Sequence, residues 1–130
     1  MIHIKKLAPV AAMVMGVALA LVTSAFNTPH KTKGGATLYS FEYNPPATDP
    51  YSVANVENVS NWVYTASSPG CSGNQEACSL QASDSYVDNS GSSPVLESSI
   101  DIQAVNTPAT GTARVSSIAD QNGSFANQAK

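Results

Sequence analysis

Basic residues, histidines and large apolar side chains are all scarce in this chain, and each shortage excludes something. Only six of the 130 residues are Lys or Arg. Past residue 25 the basic residues are Lys31, Lys33, Arg114 and Lys130 against nine acids, a net charge of −5. Nothing here forms a basic patch to neutralise phosphates, which argues against a nucleic-acid partner. His30 is the one histidine after residue 25. It lies in a polar stretch beside two lysines, a poor place for the fixed general base of a serine or cysteine hydrolase. Cysteine is limited to Cys71 and Cys78. Their C-x6-C spacing differs from the C-x-x-C of thiol–disulfide oxidoreductases. With only His30 to join them, they fall short of the four ligands of a structural zinc site. No cofactor is expected.

The first 25 residues hold the strongest pattern. Met1-Ile2-His3-Ile4-Lys5-Lys6 is a short basic start, Leu7 to Val22 is an apolar run of 16 residues, and Thr23-Ser24-Ala25 supplies small residues. That order is expected of a secretory signal peptide cut after Ala25. The run is shorter than the roughly 20 residues of a spanning helix, and Pro9 and Gly16 interrupt it. An uncleaved anchor is the alternative. No later stretch is apolar for long enough to span a membrane, so no membrane insertion is expected once the signal is removed.

Without those residues the composition is lean. Leu, Ile, Val and Phe number 17 among the 105 residues from Phe26 on, below the roughly 20% level at which disorder becomes a concern. One modest core is the most such a chain can bury. We divide it into a signal peptide (1–25), a flexible lead-in (26–35), a small β-rich domain (36–105) and a weakly structured or disordered tail (106–130). There is no internal repeat.

Ala36 to Tyr43 is the clearest strand, with Tyr39, Phe41 and Tyr43 on one face. Asn44-Pro45-Pro46 ends it. Asp49-Pro50 has the form of a helix start, and the spacing of Val53, Val56, Val59 and Val63 suits a short helix near 50–58. Trp62 to Ala66 reads as a second strand and Ala77 to Ala82 as a third, returning antiparallel to it. The cysteines then clamp the loop Ser72–Ala77, since two cysteines in a small exported domain usually pair. Trp62 and Tyr64 are expected to cover that bridge. From Leu96 the chain alternates, placing Leu96, Ile100, Ile102 and Ala104 on one face.

The aromatic residues give the sharpest functional candidate. If exposed, Tyr39, Phe41, Tyr43, Trp62 and Tyr64 form rows able to stack on sugar rings or hold a partner's apolar side chains. If buried, they form the core, the reading the shortage of large residues favours. Glu42, Glu57, Asp84 and Glu97 are available for carboxylate catalysis, but nothing singles out a pair. Asp84 to Gly91 has some calcium-loop character, yet it lacks the alternating oxygen ligands, and turn chemistry accounts for Asp88 to Gly91.

Tyr39-Ser40-Phe41-Glu42-Tyr43, Asn61-Trp62-Val63-Tyr64, and Gly70-Cys71 through Ala77-Cys78-Ser79-Leu80, taken with the lysine-bearing signal, resemble a family of short exported proteins of Bacteroidota that carry a domain of unknown function. The likeness covers the signal and roughly residues 36 to 82. It implies export from a Gram-negative cell to the periplasm, cell surface or medium, and it carries over no catalytic or binding residue. The expectation is a mainly β protein: a small antiparallel sheet with one disulfide, one short helix and a flexible C-terminal segment. It is not expected to be an enzyme. Its expected partner is a protein or glycan of the cell envelope, with a glycan- or peptide-binding module using the aromatic row as the alternative.

Overall fold

The computed structural model describes residues 30–31, 35–67 and 69–130; the expected signal peptide (1–25) lies outside them. Strand β2 (Thr37–Tyr43) is the centre of the main antiparallel sheet. One edge of β2 pairs with β1 (His30–Lys31) near its start and with β3 (Trp62–Thr65) near its end. The other edge pairs with β4 (Glu76–Ser83), which in turn pairs with β9 (Ser124–Gln128). Two short ribbons complete the strands: β5 (Val87–Asp88) with β6 (Val95–Leu96), and β7 (Gln103–Thr107) with β8 (Thr112–Ser117).

The two-residue period of β2 decides which face is buried. Tyr39, Phe41 and Tyr43 are 9%, 0% and 6% exposed, whereas Glu42 between them is exposed. Leu80 and Ala82 of β4 stand opposite Phe41 and Tyr39 and are buried with them. Helix α1 (Val53–Glu57) and the β7–β8 ribbon lie over this face, contributing Val56, Ala113 and Val115. Ser40, Glu42 and Gln81 occupy the other face, where Gln81 Nε2 donates to Ser40 Oγ. On this second face Glu42 meets water and Ser40 and Gln81 are half-buried, while the small Ser79 and Ser83 are buried, so no second layer of large apolar side chains is needed.

The expected helix is present but begins later than Asp49-Pro50 suggests. Its N-cap is Ser52, whose Oγ accepts the Asn55 N–H. Asp49 instead takes a positive φ of 47° and offers its carbonyl to Ser52 N and Asn55 Nδ2. Asparagine side chains fix the rest of this segment. Asn55 Nδ2 also donates to the Thr48 carbonyl and Asn61 Nδ2 to the Asn55 carbonyl, while Trp62 Nε1 donates to the Val56 carbonyl.

Four expectations need correction. Strand β4 does not return beside β3: the two flank opposite edges of β2, because Phe41 pairs with both Tyr64 and Leu80. Leu96, Ile100 and Ile102 are buried as expected, but a 3-10 turn at Ser98–Ile100 divides them between separate elements. His30–Lys31 is a strand on β2 rather than part of a flexible lead-in. The segment after Asn106 is not loose, since it supplies most of the β7–β8 ribbon and the edge strand β9. Small side chains do there what large ones do elsewhere. Ala113 and Val115 are fully buried, and the buried Asn127 carboxamide accepts the Val115 N–H at 2.9 Å and donates to the Val115 carbonyl at 3.1 Å.

Tyr43 yields a pH prediction. Its hydroxyl donates to the Pro50 carbonyl at 2.5 Å, and its pKa is pushed from 10.0 up to about 12, first by burial and then by neighbouring Tyr51. A raised folded-state value favours the protonated phenol in the native protein. The corresponding stability is fully present below pH 10 and is lost between pH 10 and about 12. Urea midpoints measured from pH 9 to 12 should fall through this window, and Tyr43→Phe should be less stable at pH 9 yet lose less across it.

Candidate functional site

Cys71 and Cys78 form a disulfide with Cα atoms 6.0 Å apart. Cys78 sits at the irregularity in the β4–β9 pairing, where the register shifts between Ala77 and Ser79. Trp62 and Tyr64 do not cover the bridge, contrary to expectation. They lie on β3, across β2 from the strand that carries Cys78, and pack on Tyr43 and on Tyr39 and Phe41 respectively. The bridge's polar neighbour is Ser79, whose hydroxyl lies 3.1 Å from Cys71 Sγ.

The loop closed by the disulfide organises the C-terminal end of the chain. Ser72 carbonyl accepts the Ala129 N–H, and Gln75 N donates to the Gln128 carbonyl. Gln75 carbonyl accepts from the hydroxyls of Thr107 and Thr112, and Gln75 Oε1 accepts the Lys130 N–H. Arg114 reaches Asn74 Oδ1 at 2.7 Å. Gly73 is required where it stands: its φ is 124°, and a Cβ there would run into the backbone of Gln128 and Ala129. Replacing both cysteines with serine should cost about 2–3 kcal/mol by loop-closure entropy. Thermal melts with and without reductant check this: the wild type should lose stability on reduction, and the double variant should not.

Beside this loop lies an open cleft of about 460 Å3 lined by Asp49, Pro50, Tyr51, Ser52, Glu76, Gly111, Thr112 and Lys130. Glu76 opens β4 and is only 7% exposed. Among the described residues its carboxylate has no hydrogen-bond or ion-pair partner. The one fully enclosed side-chain oxygen or nitrogen without a partner there is Ser83 Oγ, so the Glu76 oxygens remain in contact with the cleft. Tyr51 stands next to it. Its pKa is raised by burial and by the Glu76 charge, against a smaller lowering from its hydrogen bond with Gln128. The Tyr51 ring packs on Tyr43 with centroids 5.5 Å apart. Lys130 contributes a cation at the rim, where its Nζ donates to the Thr110 carbonyl at 3.4 Å.

The aromatic candidates lie elsewhere. Tyr39, Phe41, Tyr43 and Trp62 are buried and Tyr64 is half-buried, all in or against the core. They therefore do not form an exposed ligand-contacting row, because the face they share is turned into the core. Of the four carboxylates considered for catalysis, Glu57 is taken up by the backbone, its Oε1 accepting the Ala104 N–H. Glu42, Asp84 and Glu97 are exposed, and none lines this cleft. Asp88 closes a turn by accepting from Ser90 N and Oγ, as turn chemistry predicts, and these bonds hold its carboxyl below the usual range.

Sequence reasoning missed Glu76, Asp49 and Tyr51 as a group. One signal was available for Glu76: a single acid heads a strand of small and apolar residues, Ala77-Cys78-Ser79-Leu80, where an ordinary surface charge is out of place. No group of three or more His, Cys, Asp and Glu suited to a metal ion occurs among the described residues, and no described helix is long and apolar enough to cross a membrane. Comparison with protein families, with curated proteins and with solved structures found no match to the chain.

Proposed function

We propose that this is a small exported interaction protein of the cell envelope, held together by its disulfide and acting by binding rather than by catalysis. The observation that carries this reading is the Cys71–Cys78 bridge following a sequence with the form of a secretory signal. Disulfides persist in oxidising compartments and are rare in the cytosol. The absence of a spanning helix among the described residues is compatible with a protein released after signal cleavage. The resemblance to short exported Bacteroidota proteins supports the same compartment. The binding reading now rests on the cleft beside the clamped loop, since the aromatic row belongs to the core.

Expression with the signal intact in a Gram-negative host, followed by fractionation and non-reducing intact-mass measurement, tests the proposal. The expected product is recovered outside the cytoplasm, begins at Phe26 and is lighter by two hydrogens than its reduced form. A full-length cytoplasmic product with free thiols would overturn it.

A further inference from the structure

We propose that the cleft beside the disulfide loop is a binding site for a protonated primary amine on an alkyl chain, with the Glu76 carboxylate as its main partner. The inference rests on the binding reading above and gives that cleft a ligand class. Glu76 is more than nine-tenths buried, carries no partner among the described residues and opens onto the cleft. Solvated only from the cleft side, this carboxylate leaves its acceptor sites free for a cation that enters there. The lysine on the cleft rim does not fill them. Lys130 is anchored through its N–H to Gln75 and directs its ammonium to the Thr110 carbonyl.

The other lining groups suit an alkylammonium ion. Asp49 adds a second carboxylate, Tyr51 offers a phenol and a ring, and Ser52 and Thr112 offer hydroxyl acceptors. An ammonium group has three donors and no acceptor, and a tyrosine ring attracts a cation over its face. The donor set and a cleft of about 460 Å3 are better matched to an organic cation than to a bare metal ion, which takes several oxygen ligands at short range. The net negative charge adds long-range attraction. Two sources share this chemistry: a small free alkylamine and a lysine side chain presented by a partner.

Two-dimensional NMR of the oxidised protein, titrated at constant ionic strength, tests the assignment. The probes are n-butylammonium chloride, a short peptide with one central lysine, and the same peptide acetylated at Nζ. Saturable shifts are expected at the amides of Tyr51, Ser52, Glu76 and Thr112 with the first two probes and not with the third. Glu76→Gln should weaken both at least tenfold, whereas Glu42→Gln on the open sheet face should leave them unchanged. A well-dispersed Glu76→Gln spectrum keeps loss of binding apart from loss of fold. The peptide binding tenfold tighter than butylammonium assigns the source to a partner's lysine, and equal affinity assigns it to a small amine. Shifts that do not saturate, or that survive Glu76→Gln, overturn the inference. That outcome leaves the exported-protein reading standing, because compartment, cleavage and disulfide are measured independently.

Discussion

Replacing Asn127 with alanine should lower stability by about 2–6 kcal/mol, since it strands two buried backbone groups at about 1–3 kcal/mol each. Strand β9 pairs with β4 on one side and, among the described residues, has no strand partner on the other. The Asn127 carboxamide takes that place, acting toward Val115 as a strand's backbone would by accepting its N–H and donating to its carbonyl. Val115 is fully buried and Asn127 is 7% exposed, so water does not easily replace either bond. Against a typical total of about 5–15 kcal/mol, the loss should shift the melting midpoint by roughly 10 °C or more. Asn127→Asp separates hydrogen bonding from side-chain volume. Its protonated acid can both donate and accept, whereas its carboxylate faces the Val115 carbonyl. The folded-state pKa of that acid is thereby raised, so its stability should be present at acid pH and lost as pH rises through the raised value. Melts of wild type, Asn127→Ala and Asn127→Asp at several pH values check both points.

Phe41→Ala should cost about 3–5 kcal/mol, the range for removing a fully buried aromatic side chain. Phe41 is 0% exposed and is flanked in register by Leu80 of β4 and Tyr64 of β3. It meets the Tyr64 ring edge-on at a centroid distance of 6.1 Å. Because it joins both neighbours of the central strand, the cavity cannot close by moving one element. The urea midpoint should fall steeply with little change in the slope of the transition. Phe41→Leu, which keeps most of the volume, should fall much less. Equal losses in the two variants would mean that the aromatic contact with Tyr64, rather than filled space, carries the effect.

The sequence revealed the parts of this fold that large residues determine. The alternation of Tyr39, Phe41 and Tyr43 identified β2 and its buried face, and the cysteine pair indicated the bridge. Helix α1 falls inside the expected stretch, but only Val53 and Val56 of the four spaced valines lie in it, only Val56 is buried, and Ser52, not Asp49, caps it. What the sequence concealed was the work of small and polar residues. Asn55, Asn61 and Asn127 look like ordinary surface asparagines, yet their carboxamides bond to backbone 7, 6 and 12 residues away. Asp120 acts in the same way, 4% exposed, with Oδ2 accepting the Ser83 N–H. A count of apolar residues gives such positions no weight, which is why the segment after Asn106 reads as a tail. The cleft was hidden for a related reason. It joins Asp49, Tyr51, Glu76 and Lys130, which come together only once β9 is paired and the loop 71–78 is closed, and no local period brings out that combination.

The claim that Glu76 is held in place for a ligand, and not for the fold, has a direct test in one thermal melt without added amine. A carboxylate that supports the structure is missed when it is neutralised. One that has no partner within the fold contributes no bond to it, so neutralising it removes none. Glu76→Gln keeps the shape and removes the charge. The midpoint of Glu76→Gln at neutral pH should therefore equal or exceed that of the wild type; a fall of several degrees would show that Glu76 serves the fold and would contradict the account.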